Sequence, residues 1–325
     1  MTATPVTFGI KTSQANTTYA DIVRTWRDAD TIESFEHAWL WDHLVPLRGP
    51  VIGPALEAWT LLAALAAQTS RLRVGIIVTS NRLRPPALLA KMAATVDQIS
   101  GGRLVFGIGA GGSAVRDPAG LALVRREYDG YGIEVVPTGE AIEALGEACR
   151  IARLMWTSDE PFDFDGRRYR LRGAICEPKP VQRPGPPMMI GAGGPRSLRV
   201  VAEQADIWNC PTRGDVTDFR RMDAILVEQC RAIGRDPGEI VRSVQLLVGP
   251  ETIEPPAGGG SLPPIAGPAE TRDRIHAFIE AGASHLVLAP AGAVGDRPAR
   301  WLADEIVEPV RAALRSVAAG DAPVV

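Results

Sequence analysis

The sequence predicts a (β/α)8 TIM barrel with long insertions after the fourth strand, the fourth helix and the seventh strand. Two observations carry this. Strand-like and helix-like segments alternate from one end of the chain to the other, in eight ordered pairs, which favours a barrel over a doubly wound open sheet. The apolar strands are short and continuous, as parallel strands covered on both faces should be. The 325 residues read as one domain, 1–325, because barrels of this class commonly run to ~250 residues or more. An open sheet remains the alternative if the pairs are over-counted.

Residues 6–11 read as the first strand and 19–31 as its helix. The second strand is Ala38-Trp39-Leu40-Trp41. The segment 55–68 that follows is apolar on nearly every side, so it is expected to be buried or to lie at a subunit interface. Residues 73–78 form a third strand rich in β-branched side chains, with Val74, Ile76, Ile77 and Val78. Leu88, Leu89, Met92, Val96 and Ile99 then recur at helical spacing. Strand four is 104–108, with a helix over 139–155. Strands five to eight are 188–190, 206–208, 241–248 and 285–288. Their helices cover 196–203, 217–233, 270–280 and 299 to about 317.

Three connections exceed the short loops usual in βα units. The first, 111–137, and the third, 249–267, follow strands and so sit over the face where barrel active sites lie. The third contains Pro255-Pro256-Ala257-Gly258-Gly259-Gly260, a flexible composition. The second, 157–187, follows a helix and begins at the opposite face. It carries an expected hairpin over 162–169, with Asp165-Gly166 suited to a tight turn.

Composition sets limits on function. Hydrophobic residues make up 46% and charged residues 22%, which fits a globular chain with a large core. A net charge of −3 provides no basic field for nucleic acid. No apolar run approaches ~18 residues, so no membrane span is expected, and residues 1–5 do not resemble a signal peptide. Cys149, Cys176, Cys210 and Cys230 are widely spaced without a CxxC pair. Reduced thiols in the cytoplasm are the simplest reading, and the four histidines show no metal-ligand spacing.

Four strand ends hold the residues that point to chemistry. Asp42 and His43 directly follow strand two, at the catalytic end of a barrel, where a carboxylate and an imidazole can bond to a ligand's polar edge. The plain alternative is a capping Asp beside a packed His. Strand three ends in Ile77-Val78-Thr79-Ser80-Asn81, which offers hydroxyl and amide partners or simply a turn that caps the next helix. Strand four runs into Gly107-Ile108-Gly109-Ala110-Gly111-Gly112, where missing Cβ atoms permit close approach to a planar ring or a phosphate, or an ordinary turn. Strand five ends in Gly191-Ala192-Gly193-Gly194-Pro195-Arg196-Ser197, at the start of a helix. Free amides and the helix dipole there suit an anion such as a nucleotide-like cofactor's phosphate. Pro195 fits the first helical turn, and Arg196 and Ser197 add charge and a hydroxyl. No Walker or first-strand dinucleotide motif is present.

In combination, these segments resemble the luciferase-like monooxygenase superfamily, and most closely its actinobacterial branch of F420-dependent oxidoreductases. The resemblance rests on Phe8-Gly9-Ile10 through Trp41-Asp42-His43, on 56–66, on 86–97, and on Ser100-Gly101-Gly102-Arg103-Leu104. It resumes in 164–169, Pro178-Lys179-Pro180-Val181-Gln182 and Ile190-Gly191-Ala192-Gly193-Gly194. The resemblance implies a cofactor ring over the C-terminal ends of the strands, contacted by Asp42 and His43. It implies a bulged strand three with a non-proline cis peptide at Ile77–Val78 behind that ring. It also implies phosphate or tail contacts from Gly193, Gly194 and their neighbours, and a homodimer.

The implied activity is hydride transfer between coenzyme F420 and a small organic substrate, with His43 polarising the substrate or relaying its proton. An FMN-dependent monooxygenase is the alternative, and a non-catalytic flavin-binding barrel a second one. Arg82, Arg84 and Arg196 are possible lining for the anionic F420 tail. The branch that oxidises glucose 6-phosphate carries glutamates where this chain has Gln14 or Ala15, and Gly112, and a ring-contacting tryptophan near Leu47. Sugar-phosphate oxidation is therefore not expected. An insertion over 112–126 is the candidate substrate lid.

Overall fold

The computed structural model describes residues 5–47, 50, 52–112, 118–253, 264–292 and 294–319. The Pro/Gly run at 255–260 lies outside them, as does the first part of the expected lid, 113–117.

The strands are β1 (Thr7–Lys11), β2 (His37–Leu40), β3 (Arg73–Ile76), β4 (Thr79–Ser80), β5 (Leu104–Gly109), β6 (Phe162–Asp165), β7 (Arg170–Ala174), β8 (Met188–Gly191), β9 (Ile207–Cys210), β10 (Val241–Val248), β11 (Ile265–Ala266) and β12 (His285–Pro290). Eight of them, β1, β2, β3, β5, β8, β9, β10 and β12, pair in parallel in that order. The Thr7–His285 register joins β12 back to β1, so the barrel closes. The helices are α1 (Tyr19–Asp30), α2 (Ala58–Ala66), α3 (Pro86–Ser100), α4 (Pro118–Gly130), α5 (Thr138–Thr157), α6 (Pro195–Gln204), α7 (Val216–Ala232), α8 (Pro268–Glu280), α9 (Pro298–Leu302) and α10 (Glu308–Ala319). Among the described residues, no helix is long and apolar enough to cross a membrane.

Caps decide where several helices begin. Glu57 accepts from the amides of Trp59 and Thr60, so α2 starts three residues later than apolar content alone suggests. Thr18 and Asp215 cap α1 and α7 in the same way. The expected last helix is divided by a π-helical turn at Ala303–Val307.

Strand alternation divides the apolar residues into two layers. Phe8, Ile10, Leu40, Phe106 and Leu288 join the large core between strands and helices. Trp39, Ile77, Val105, Met189 and Val287 form a separate cluster inside the barrel. Large and small residues interlock there. A Cβ on Gly9 would lie 1.8 Å from His37 Nδ1, and one on Gly75 would lie 2.5 Å from the Trp39 ring. A polar ladder shares the interior. Lys11 Nζ donates to Gln245 Oε1 (2.9 Å), Gln245 Nε2 donates to Asn209 Oδ1 (2.9 Å), and Asn209 Nδ2 donates to Ser243 Oγ (3.4 Å). Ser243 Oγ in turn meets His285 Nδ1 at 2.8 Å.

The hairpin of the second long connection is β6–β7, with its turn at 166–169. The turn is longer than an Asp-Gly pair requires because Glu147 of α5 organises it. The buried Glu147 carboxylate accepts from the amides of Arg167, Arg168 and Tyr169 at 2.7 to 3.0 Å. That partner is distant in sequence.

Candidate active site

Beyond β2 the chain continues as Trp41, Asp42 and His43. Alternation from Ala38 and Leu40, which face the helices, sends Asp42 outward as well. Its buried carboxylate receives Arg84 in a bidentate pair, Nη1 to Oδ2 at 2.9 Å and Nη2 to Oδ1 at 3.0 Å. Oδ2 also accepts from the Ser80 amide at 2.9 Å. Arg84 further pairs with Glu57 at the start of α2. Burial outweighs the Arg84 pair and leaves the Asp42 carboxyl above its ordinary value. Asp42, expected to contact the ring, thus clasps the segment after β3 from outside the barrel. Arg84, expected beside the cofactor tail, is consumed in the same clasp.

That segment is irregular. The Ile77–Val78 peptide is cis, as the resemblance implies. The ladder stops after β3 and resumes as β4, where Thr79 pairs with Ile108 and Ser80 with Gly109. Ile77 joins the barrel interior, with Val78 packed against it. Thr79 is fully buried and its hydroxyl accepts from Trp59 Nε1 at 3.1 Å, so it faces α2 and not the mouth.

The glycines at the C-terminal ends of β5 and β8 have a local explanation. A Cβ on Gly107 would meet the Ile76 carbonyl at 2.0 Å, and one on Gly109 or Gly191 would meet Val78 Cγ2 at 2.8 Å. These glycines make room for the bulge. Ala110 is buried in the outer core. Gly111 has φ +78°, and a Cβ there would meet Ser80 Oγ at 2.4 Å. Gly193 packs toward Pro211 and Met222, and a Cβ on Gly194 would make only ordinary contact, its nearest neighbour being Ser197 Oγ at 3.8 Å. Ser197 Oγ donates to the Gly194 carbonyl (2.9 Å) and accepts from its amide (3.2 Å), closing the first turn of α6. Arg196 is exposed beside that turn.

His43 is partly exposed. Its Nδ1 lies 3.0 Å from Oε2 of Glu127, whose side chain is only 2% exposed. Glu127 Oε1 accepts from the Leu44 amide at 2.5 Å, and the Trp41 ring meets the imidazole edge to face at 5.1 Å. Glu127 belongs to α4, one residue beyond the expected lid at 112–126, and was not among the residues the sequence pointed to. The signal for it was present: Val124, Glu127 and Tyr128 fall on one buried helical face. The neighbouring Tyr128 hydroxyl meets Ser80 Oγ and accepts from the Gly112 amide, both at 2.9 Å. Gln14, fully buried, donates to the Trp41 carbonyl at 2.5 Å and accepts from its amide at 3.4 Å, which fixes this strand end.

The hairpin wraps round to the same end of the barrel, where the Tyr169 hydroxyl accepts from Asn81 Nδ2 at 3.2 Å. Asn81 Oδ1 and Trp41 Nε1 are buried and, among the described residues, have no hydrogen-bond partner. Such atoms are expensive to leave unpaired. An acceptor and a donor beside a bulged strand and a histidine fit the polar edge of a flat heterocycle.

The chain belongs to the luciferase-like monooxygenase family, whose model matches residues 1–252. It is 31% identical over 217 residues to an F420-dependent glucose-6-phosphate dehydrogenase of Kineococcus radiotolerans, covering 66% of this chain and 59% of that protein. It is 30% identical over 203 residues to a phthiodiolone/phenolphthiodiolone dimycocerosates ketoreductase of a Mycobacterium species, covering 61% of this chain and 49% of that protein. The matches thus span only about half of these curated relatives. The coenzyme F420-dependent tetrahydromethanopterin reductase of Methanopyrus kandleri superposes with a TM-score of 0.74 at 17% identity, over 94% of this chain and all (100%) of that one, and supports the barrel fold.

Proposed function

We propose that this protein is a coenzyme F420-dependent oxidoreductase that moves a hydride between the deazaflavin and a small organic substrate. The observation that carries the reading is the meeting, at one end of the barrel, of the Ile77–Val78 bulge, the unpaired Asn81 Oδ1 and Trp41 Nε1, and the partly exposed His43. The F420-dependent dehydrogenase among the relatives supports the choice of cofactor. When bound, the deazaflavin supplies a ring carbon that gives or takes hydride. The chain does the rest. Asn81 and Trp41 would bind the polar edge, Val78 would support the ring, and Gly194, the α6 amides and Arg196 would hold its anionic arm. His43 holds or moves the substrate proton at Nε2.

Asp42 acts from outside this site by holding the bulge in place. Sugar-phosphate oxidation does not suit Gln14, whose amide is committed to the Trp41 backbone. A cytoplasmic homodimer belongs to the same proposal. The four cysteines are buried free thiols, and Leu88 and Ile99 stand exposed on α3.

Titrating the purified protein with F420 and with FMN, followed by absorption and fluorescence, tests the reading when paired with trials of ketones, alcohols and enones. F420 binding with turnover that His43→Ala reduces ~10²–10⁴-fold supports it. Selective FMN binding with oxygen consumption replaces it with a monooxygenase. Binding without turnover of any substrate leaves a carrier barrel.

A further inference from the structure

We propose that Glu127 is a positioning residue that locks His43 in the tautomer protonated at Nδ1, so that Nε2 is kept as the proton acceptor. The inference rests on the role given to His43 above and adds what sets that role. A neutral imidazole has one donor and one acceptor nitrogen, and which is which follows from its partners. The partner at Nδ1 is a carboxylate oxygen at 3.0 Å, which accepts and does not donate when ionised. Its second oxygen is pinned by the Leu44 amide, a donor that cannot change sense. The carboxylate is therefore oriented at both ends, and at 2% side-chain exposure water does not compete for it.

The support extends along α4 to Tyr131, just past its end. Arg126 Nη2 donates to the Pro46 carbonyl at 2.8 Å, and the Tyr131 hydroxyl donates to the Leu44 carbonyl at 3.4 Å. Tyr128, between them, ties the helix to Ser80 and Gly112. The loop that carries His43 is thus fastened at Leu44 and Pro46 to the helix that orients its ring.

The Leu44 amide makes the isosteric substitution diagnostic. In Glu127→Gln the amide oxygen must stay with the Leu44 N–H, which turns the amide nitrogen toward His43. That NH2 donates to Nδ1 and forces the imidazole proton onto Nε2. The substitution inverts the tautomer without changing the shape of the site.

The test is nitrogen NMR of histidine-labelled protein without cofactor, repeated on Glu127→Gln and Glu127→Asp, with F420 affinity and kcat measured alongside. The expected result is an Nδ1–H tautomer in the native protein and an Nε2–H tautomer in Glu127→Gln. F420 affinity should stay within about 3-fold while kcat falls ~10²–10⁴-fold, the range of a lost acid–base group. Glu127→Asp should recover part of both readouts. An Nε2–H tautomer in the native protein overturns the proposal, even if no variant folds. An unchanged tautomer in Glu127→Gln does the same. Failure to bind F420 alongside the expected tautomers overturns the functional reading and leaves the lock standing.

Discussion

His37 and His285 stack face to face inside the barrel, ring centroids 3.8 Å apart and planes 9° from parallel. Trp39 Nε1 donates to His37 Nδ1 at 2.6 Å, and Ser243 Oγ meets His285 Nδ1 at 2.8 Å. Burial holds both rings neutral, with help from the nearby Arg73 charge and, for His37, from His285 itself. The His285 value is pushed down to about 3 from 6.5, and His37 also lies well below its ordinary value. In the unfolded chain both take a proton as the pH falls through 6.5, and in the folded chain they do not. Stability is therefore present above pH 6.5 and lost as the pH falls toward 3. Each ring should contribute a slope of about 1.4 kcal/mol per pH unit. Denaturant titrations across this range check it, and His285→Asn should remove about one proton from the slope.

Asp42 and Arg84 hold each other in a nearly dry site, so removing Asp42 leaves the Arg84 charge to the partly exposed Glu57. Asp42→Ala should lower stability by about 1.5–3 kcal/mol, the range for a lost hydrogen bond to a charged group. Loss of the Ser80 amide's acceptor should also loosen the bulge and weaken cofactor binding. Asp42→Asn keeps an acceptor for that amide and should fall between. Chemical denaturation and F420 titration of the two variants separate the terms. A near-neutral Asp42→Ala would mean that the clasp does not hold the bulge.

Val78 explains why Gly109 and Gly191 carry no side chain, and this can be separated from a ligand's demand. Gly191→Ala brings a methyl to 2.8 Å from Val78 Cγ2, and overpacking of this kind typically costs ~1–3 kcal/mol. In a Val78→Ala background most of that cost should vanish, giving a coupling of ~0.5–3 kcal/mol in a double-mutant cycle. Gly194→Ala, whose nearest neighbour is 3.8 Å away, should change stability by less than about 0.5 kcal/mol. Additive effects of Gly191→Ala and Val78→Ala would return the glycine to the ligand.

These contrasts show what was legible in the sequence. The barrel was, because continuous apolar strands and helical periodicity repeat eight times, and strand ends in a barrel converge on one face. That put His43, Asn81 and Gly194 together at the C-terminal ends of the strands. The direction of each side chain was harder to read. Asp42 and Thr79 follow strands at positions that turn outward, and only the continued alternation from Leu40 indicates this for Asp42. The glycines read equally well as space for a ring and as space for Val78, since sequence does not say what fills a gap. Glu127 was hidden because an acidic residue on a helix usually faces solvent, and its partner is 84 positions away. The cis peptide was accessible only through family resemblance, as nothing in Ile77-Val78 itself encodes it.

Tyr169 joins the inserted hairpin to the barrel through one hydroxyl, which accepts from Asn81 Nδ2. Burial pushes its phenol above the usual value, so it stays protonated across the neutral range and can itself donate. Tyr169→Phe removes the acceptor while keeping the ring, and a lost hydrogen bond of this kind is worth ~1 kcal/mol. The consequence for binding should exceed that for folding. Asn81 already has an unpaired Oδ1, and without Tyr169 its amide is free to rotate and present either end to a ligand. Tyr169→Phe should therefore lower stability by about 1 kcal/mol and weaken F420 binding by about 5- to 10-fold, equivalent to roughly 1–1.4 kcal/mol. The Tm shift and a fluorescence titration measure the two effects on the same sample. Weaker folding with unchanged affinity would show that the hairpin braces the barrel without orienting Asn81.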